Sequence, residues 1–140
     1  MNEEIIVNAE NAVLGRIASF AAKKALEGNK VVIVNAEKAV ITGNKKNILE
    51  RYLKKRTIGG SGLKGPNFPS LPEKILKRTI RGMLRYKKGR GREAYKRVLC
   101  FAEIPKEYEN KKMISIKRNK TGISLEEVSI LLRGGKWKKE

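Results

Sequence analysis

Two stretches of the chain nearly repeat each other. Ile6-Val7-Asn8-Ala9-Glu10-Asn11-Ala12-Val13 and Ile33-Val34-Asn35-Ala36-Glu37-Lys38-Ala39-Val40 agree at every position but one. Each begins in a β-branched run: Ile5-Ile6-Val7 in the first copy, Val31-Val32-Ile33-Val34 in the second. Between them, Leu14, Ile17, Ala18, Ala21 and Ala25 form a helical stripe within Val13 to Leu26, and Gly28-Asn29 supplies a stop. Strand, helix and strand in that order form a β-α-β unit with a right-handed crossover. An unbroken β-branched run suits a strand covered on both faces, as in a parallel sheet. The two Asn-Ala-Glu turns should then lie side by side at the carboxyl edge, where open α/β sheets place ligands. Asn and Glu at such exits also serve as turn and cap hydrogen-bonding groups, and this structural reading is favoured.

The rest of the chain continues the α/β pattern. A second helix is expected from about Lys45 to Lys55, with Ile48, Leu49, Tyr52 and Leu53 inward. Residues 57–71 contain Gly59, Gly60, Gly62, Lys64, Gly65, Pro66, Phe68 and Pro69, too much glycine and proline for regular structure. Ser70-Leu71-Pro72-Glu73 reads as a capping box for a third helix, about Glu73 to Leu84, with Ile75, Leu76, Ile80, Met83 and Leu84 inward. Residues 85–92 read as a flexible basic turn, and about Glu93 to Arg97 as a short helix. Val98 to Phe101 and Ile114 to Ile116 are further strand candidates, separated by a polar loop from Pro105 to Lys112. Ser124-Leu125-Glu126-Glu127 is a second capping box, opening a helix to about Leu132. With 140 residues, all of this is one domain's worth of chain.

Charge narrows the function. The chain has 33 Lys+Arg against 14 Asp+Glu, a net charge of +19. Residues 45–97 alone hold 18 basic and 3 acidic side chains. Solubility asks for a net charge of only about 2–8 in a small domain, so a polyanionic partner is the better explanation. Three basic elements succeed one another: Lys54-Lys55-Arg56; a helix face of Lys74, Lys77, Arg78 and Arg81; and Arg85, Lys87, Lys88, Arg90 and Arg92, with Lys96 and Arg97 beyond. Lys64 adds a charge within the glycine-rich segment. Arginine forks phosphate oxygens and lysine adds mobile charge. The turn glycines would let a phosphate approach the backbone. Tyr86 and Phe68 have two readings, stacking on unpaired bases or packing on their own helix ends.

Catalysis finds little support. There is no histidine and a single cysteine, Cys100, read as a small buried hydrophobe. Ser-His and Cys-His pairs, internal disulfides and multi-cysteine metal sites are thereby excluded. Gly60 and Gly65 have P-loop spacing, but Pro66 and Asn67 stand where Lys and Ser/Thr are required. The β-α-β unit lacks G-x-G-x-x-G. Glu10 and Glu37 are the one carboxylate pair with a reason to be neighbours, and nothing places a nucleophile beside them. No cofactor, metal or small-molecule substrate is expected. The acidic start, Met1-Asn2-Glu3-Glu4, is the opposite of a secretory signal, and the apolar runs are too short to span a bilayer.

The segments Asn8 to Arg16, Val34 to Gly43 and Arg78-Thr79-Ile80-Arg81-Gly82-Met83-Leu84, with Arg90-Gly91 following, resemble the family of large-subunit ribosomal protein thirteen in its archaeal form. The resemblance runs to about Pro105. It implies a three-layer α/β/α domain on a small parallel sheet of about four strands. It also implies a structural protein of the large subunit, bound to its 23S-type rRNA and to neighbouring ribosomal proteins, joining early in assembly, cytoplasmic and without catalysis. No homo-oligomer is expected. The other classes that fit the charge are a free regulator of messenger RNA and an RNA-directed enzyme. One departure is Arg85, which stands where the family usually has proline; a proline stop to the third helix is absent and a charge is added.

Overall fold

The computed structural model describes residues 3–57, 70–116 and 122–132. The repeated segments form the centre of the sheet. Strand β1 (Glu4–Asn8) pairs in parallel with β2 (Lys30–Val34) over five residues, Glu4 opposite Lys30 through Asn8 opposite Val34. Helix α1 (Leu14–Leu26) makes the crossover. Strand β4 (Val98–Cys100) adds in parallel to the outer edge of β2, and β5 (Ile114–Ser115) to the outer edge of β1. The sheet order is β4-β2-β1-β5.

That order explains how the two faces are covered. A right-handed crossover that steps outward from β1 to β2 to β4 puts its helices on one face. The path from β4 back to β5 steps the other way and must run over the opposite face. The side chains follow this division. Val7, Val31, Ile33 and Val98 point into the helical side, packed with Ile17, Ile75, Leu76, Ile80, Leu125 and Val128. Ile6, Val32 and Val34 point the other way, where Tyr108, Leu99, Phe101, Ile104 and Met113 cover them. The helical layer contains α1, α3 (Pro72–Met83) and α4 (Gly89–Lys96). The alanines of α1, Ala18, Ala21, Ala22 and Ala25, are all buried and let α3 and α4 approach closely. The opposite layer is a strap with one turn of 3-10 helix, Lys106–Tyr108. The polar appearance of Pro105 to Lys112 hides this role, because Tyr108 is buried and its ring lies 6.0 Å from that of Phe101.

A second small sheet closes the carboxyl end. Strand β3 (Val40–Thr42) pairs antiparallel with β6 (Gly122–Ser124), which leads directly into α5 (Leu125–Leu132). Neither strand is evident in the sequence, since the partners Val40 and Ser124 are far apart in the chain. Helix α2 (Lys45–Thr57) follows β3 and packs on α5. Asn44 caps it, its Oδ1 accepting from the amides of Lys46 and Asn47 at 3.0 and 3.4 Å.

Several local expectations are corrected. Leu71, not Ser70, is the N-cap of α3, with no side-chain cap; Pro72 at the first helical position replaces it. One half of the Ser124 box forms, its Oγ accepting from the Glu127 amide at 3.4 Å. Leu53 and Met83, assigned inward, are 39% and 45% exposed. Helix α3 ends at Met83 without a proline: Leu84 turns to extended backbone (φ −113°, ψ 144°). Residues 89–92, read as part of a flexible turn, are the first turn of α4.

Candidate nucleic-acid interface

At the carboxyl edge the Asn-Ala-Glu turns do lie side by side, and they are occupied with each other. Asn8 Oδ1 accepts from the Glu10 amide and from Asn35 Nδ2, both at 3.0 Å. Backbone bonds from Ala9 to Val34, Asn11 to Lys38 and Val40 to Ala12 zip the turns together. Asn11 and Asn35 have left-handed backbone (φ 56° and 57°), which Asn adopts at lower cost than most residues. Burial and the nearby carboxylates of Glu126 and Glu103 hold the Glu37 carboxyl above its ordinary range. Lys38 partly offsets that rise. The edge is a structural clasp, as the turn reading expected.

The basic elements lie elsewhere, along α2, α3, α4 and the turn between the last two. Along α3, Lys74 is exposed while Lys77, Arg78 and Arg81 are half-buried, on the face opposite Ile75, Leu76 and Ile80. The aromatic residues of this region hold cations against their rings. Lys55 Nζ lies 5.0 Å from the centre of the Tyr52 ring, Lys77 Nζ 5.0 Å from Tyr95, and the Arg81 guanidinium 4.7 Å from Tyr86. Such contacts restrain long side chains that would otherwise sample many rotamers. Partial burial, with Arg51 and Arg78 close by, pulls the Lys55 ammonium below its usual range. Lys55, near the end of α2, is therefore close enough to Arg78, in the middle of α3, for the two cations to repel. An anion placed there relieves that repulsion.

Between α3 and α4 the chain makes a tight turn. The Tyr86 amide donates to the Leu84 carbonyl (2.9 Å) and the Lys88 amide to the Arg85 carbonyl (3.0 Å). Arg92 Nη2 donates to the Lys87 carbonyl at 3.4 Å. Gly91 is buried, and a Cβ there would land inside the Arg85 carbonyl. Its role is to let the Arg85 backbone pack on α4, not to admit a phosphate. Lys54, Lys55, Arg85, Lys87, Lys88, Arg90, Arg92 and Lys96 are exposed, and Tyr86 is half-buried. Helix α4 opens with no side-chain cap and no acidic residue in its first turn, so its positive dipole end adds to the field.

Two of the expected contact residues have other employment. Arg97 Nη1 donates to the Ala25 carbonyl at 2.8 Å, satisfying the C-terminal end of α1. Lys96 lies 3.9 Å from Glu93 on the surface, a pairing of small energetic weight. Lys64 and Phe68 lie outside the described residues, as does most of 57–71, and the Arg56 side chain is likewise not described. Cys100 reaches the surface in part, but its thiol is enclosed, and burial pushes it up to about 12; it is no nucleophile at neutral pH. Among the described residues no group of three or more His, Cys, Asp or Glu side chains could hold a metal ion. No helix among them is long and apolar enough to cross a membrane.

Fold and surface together define a small α/β scaffold, internally clasped at the carboxyl edge of its sheet, that displays a cationic corner. Comparison with known proteins identifies which scaffold. The family model for ribosomal protein L13 matches residues 2–107. The chain is 48% identical over 128 residues to the large ribosomal subunit protein uL13 of Methanocaldococcus jannaschii, covering 89% of this chain and 93% of that one. It is 48% identical over 111 residues to the protein of that name from Archaeoglobus fulgidus (79% and 70% covered), and 43% over 133 residues to that from Picrophilus torridus (91% and 96%). The chain belongs to the ribosomal protein L13 family.

Proposed function

We propose that this protein is a structural constituent of the large ribosomal subunit, one domain that binds large-subunit rRNA and neighbouring ribosomal proteins in the cytoplasm and catalyses no reaction. The observation that carries the reading is the cationic corner. Lys54 and Lys55 on α2, Lys74, Lys77, Arg78 and Arg81 on α3, and Arg85, Lys87, Lys88, Arg90 and Arg92 on the turn and α4 follow one another along the chain, with Arg78 near Lys55 and Lys77 against the Tyr95 ring. Glu73 and Glu93 are the only acidic residues between positions 70 and 97. A surface of this kind neutralises closely spaced phosphates and lets RNA helices approach one another. Basic groups fixed on short helices match a folded RNA of defined shape better than an unstructured strand. Early entry into assembly accords with direct binding of rRNA through this surface.

The test exchanges Lys87, Lys88, Arg90 and Arg92 for Gln and follows incorporation into high-salt-washed large subunits. The control exchanges Lys136, Lys138 and Lys139. The corner variant should incorporate poorly, and its affinity for rRNA should depend less steeply on salt, by about 0.9 in the log–log slope for each phosphate no longer neutralised. Equal incorporation of both variants and the parent would remove the corner from the interface. A protein that sediments mainly as a free pool would favour a regulator of messenger RNA instead.

A further inference from the structure

The turn between α3 and α4 encloses more than charge. Leu84, Arg85, Tyr86, Lys87 and Lys88 line a hollow of about 310 Å³. That is the small end of ligand-site volumes, which start near ~300 Å³. Its wall is mainly carbon, with Leu84 and Tyr86 among the lining residues, while Arg85, Lys87 and Lys88 carry exposed cationic ends. Arg81 lies against the Tyr86 ring but does not line the hollow. The ring is thus held in place from outside it.

The surroundings are equally specific. Gly82 in the last turn of α3 and Gly89 at the start of α4 are exposed, and a Cβ built on either meets nothing within 4 Å. Glycine within a helix costs about 1 kcal/mol against alanine, and no contact within the described residues requires it at these places. Both positions flank the hollow in sequence. A phosphate alone would seek N–H donors rather than an apolar lining. A flat heteroaromatic ring joined to an anionic backbone matches a shallow, mainly apolar surface that includes Tyr86 beside the exposed cationic ends of Arg85, Lys87 and Lys88.

We propose that this hollow takes one unpaired nucleobase extruded from the bound RNA, stacked against Tyr86, with its flanking phosphates on Arg85, Lys87 and Lys88. The proposal rests on the RNA-binding reading and adds to it a single-nucleotide site. It turns a charged corner into one that recognises where a helix is interrupted, because only an unstacked base can enter.

The experiment uses the full chain and two hairpin RNAs that differ in one nucleotide. One carries a single bulged 2-aminopurine; the other lacks the bulge and is fully paired. The bulged hairpin should bind about tenfold more tightly, the order expected for one base stacked on an aromatic side chain, and its fluorescence should fall as the base stacks. Tyr86→Ala should abolish both the preference and the quench. Tyr86→Phe should retain both, since stacking does not need the hydroxyl. Equal, salt-dependent binding of the two hairpins would overturn the base site while leaving RNA binding intact. Binding of neither hairpin would overturn both readings. A preference untouched by Tyr86→Ala, or a drop in that variant's affinity for both hairpins alike with unchanged melting, would also overturn the site.

Discussion

The carboxyl edge of the sheet and the α3–α4 corner are both polar regions at the end of a hydrophobic core, and they use their polar groups in opposite ways. At the edge, Asn8, Asn35 and the backbone amides around them satisfy one another across the two strand exits. At the corner, the exposed side chains of Arg85, Lys87, Lys88 and Arg90 extend from a turn whose own hydrogen bonds are made by backbone and by Arg92. Edge groups turn inward, as the turn reading expects, while the corner groups keep exposed cationic ends. Position in an α/β sheet suggests where a site can be; hydrogen-bond accounting decides whether it is one.

Breaking the corner's geometry should give the largest effect. Gly91→Ala forces a Cβ into the Arg85 carbonyl, at the top of the ~1–3 kcal/mol range for overpacking. Denaturant unfolding should show that destabilisation, and RNA affinity should fall with it. A neutral variant would mean that the turn does not pack on α4 as described. Next is the edge. Asn35→Ala removes the bond to Asn8 and leaves alanine in left-handed backbone, together worth about 2 kcal/mol. The melting midpoint should drop while the salt slope of RNA binding stays that of the parent. A changed slope would show that the edge touches RNA and would dissolve the contrast.

Arg97 sharpens the boundary between the two uses of charge. Arg97→Met should cost about 1.5 kcal/mol by removing the charge-assisted bond to Ala25, and it should weaken RNA binding less than any single change among Lys87, Lys88 and Arg90. The reverse ranking would return Arg97 to the interface. The smallest effect is expected at Glu37. Its carboxyl titrates above its ordinary range in the folded protein, chiefly through burial and then through Glu126 and Glu103. The folded state therefore binds this proton more tightly than the unfolded chain does. The charged form burdens stability at neutral pH, and the burden fades as pH falls through the raised value. Glu37→Gln should raise the melting midpoint slightly at pH 7, by under about 1 kcal/mol, and not at all well below the usual carboxylate range. A drop at pH 7 would reveal an interaction of the carboxylate that the fold needs.

The parts of this fold legible in sequence are those with local periodicity. The β-α-β unit, the stripe of α1 and the face of α3 follow from the spacing of Ile17, Ala21, Ile75 and Ile80. The short strands β3 and β6 are hidden because their pairing joins Val40 to Ser124, far apart in the chain. Tyr108 looks like part of a polar loop, because what buries it is the return path from β4 to β5, a property of topology alone. The basic residues of the candidate site are legible as charge. Which of them are spent internally is not, since Arg97 meets Ala25 across 72 residues of chain. The start of α4 misleads for a similar reason: glycine at 89 and 91 signals a loop, until Gly91 proves to be a packing requirement.

That packing requirement bears on how this corner can vary between relatives. Gly91 meets the backbone of residue 85, not its side chain. Leu84 is already extended, the conformation that a following proline imposes on its predecessor. The path of the main chain therefore does not depend on the Arg85 side chain, and it is one that a proline at 85 would follow as well. The glycine has no such latitude. Substitutions at 85 and 91 are unequal partners in one contact: the first can drift and acquire a charge, while the second holds the place open for whatever arrives there.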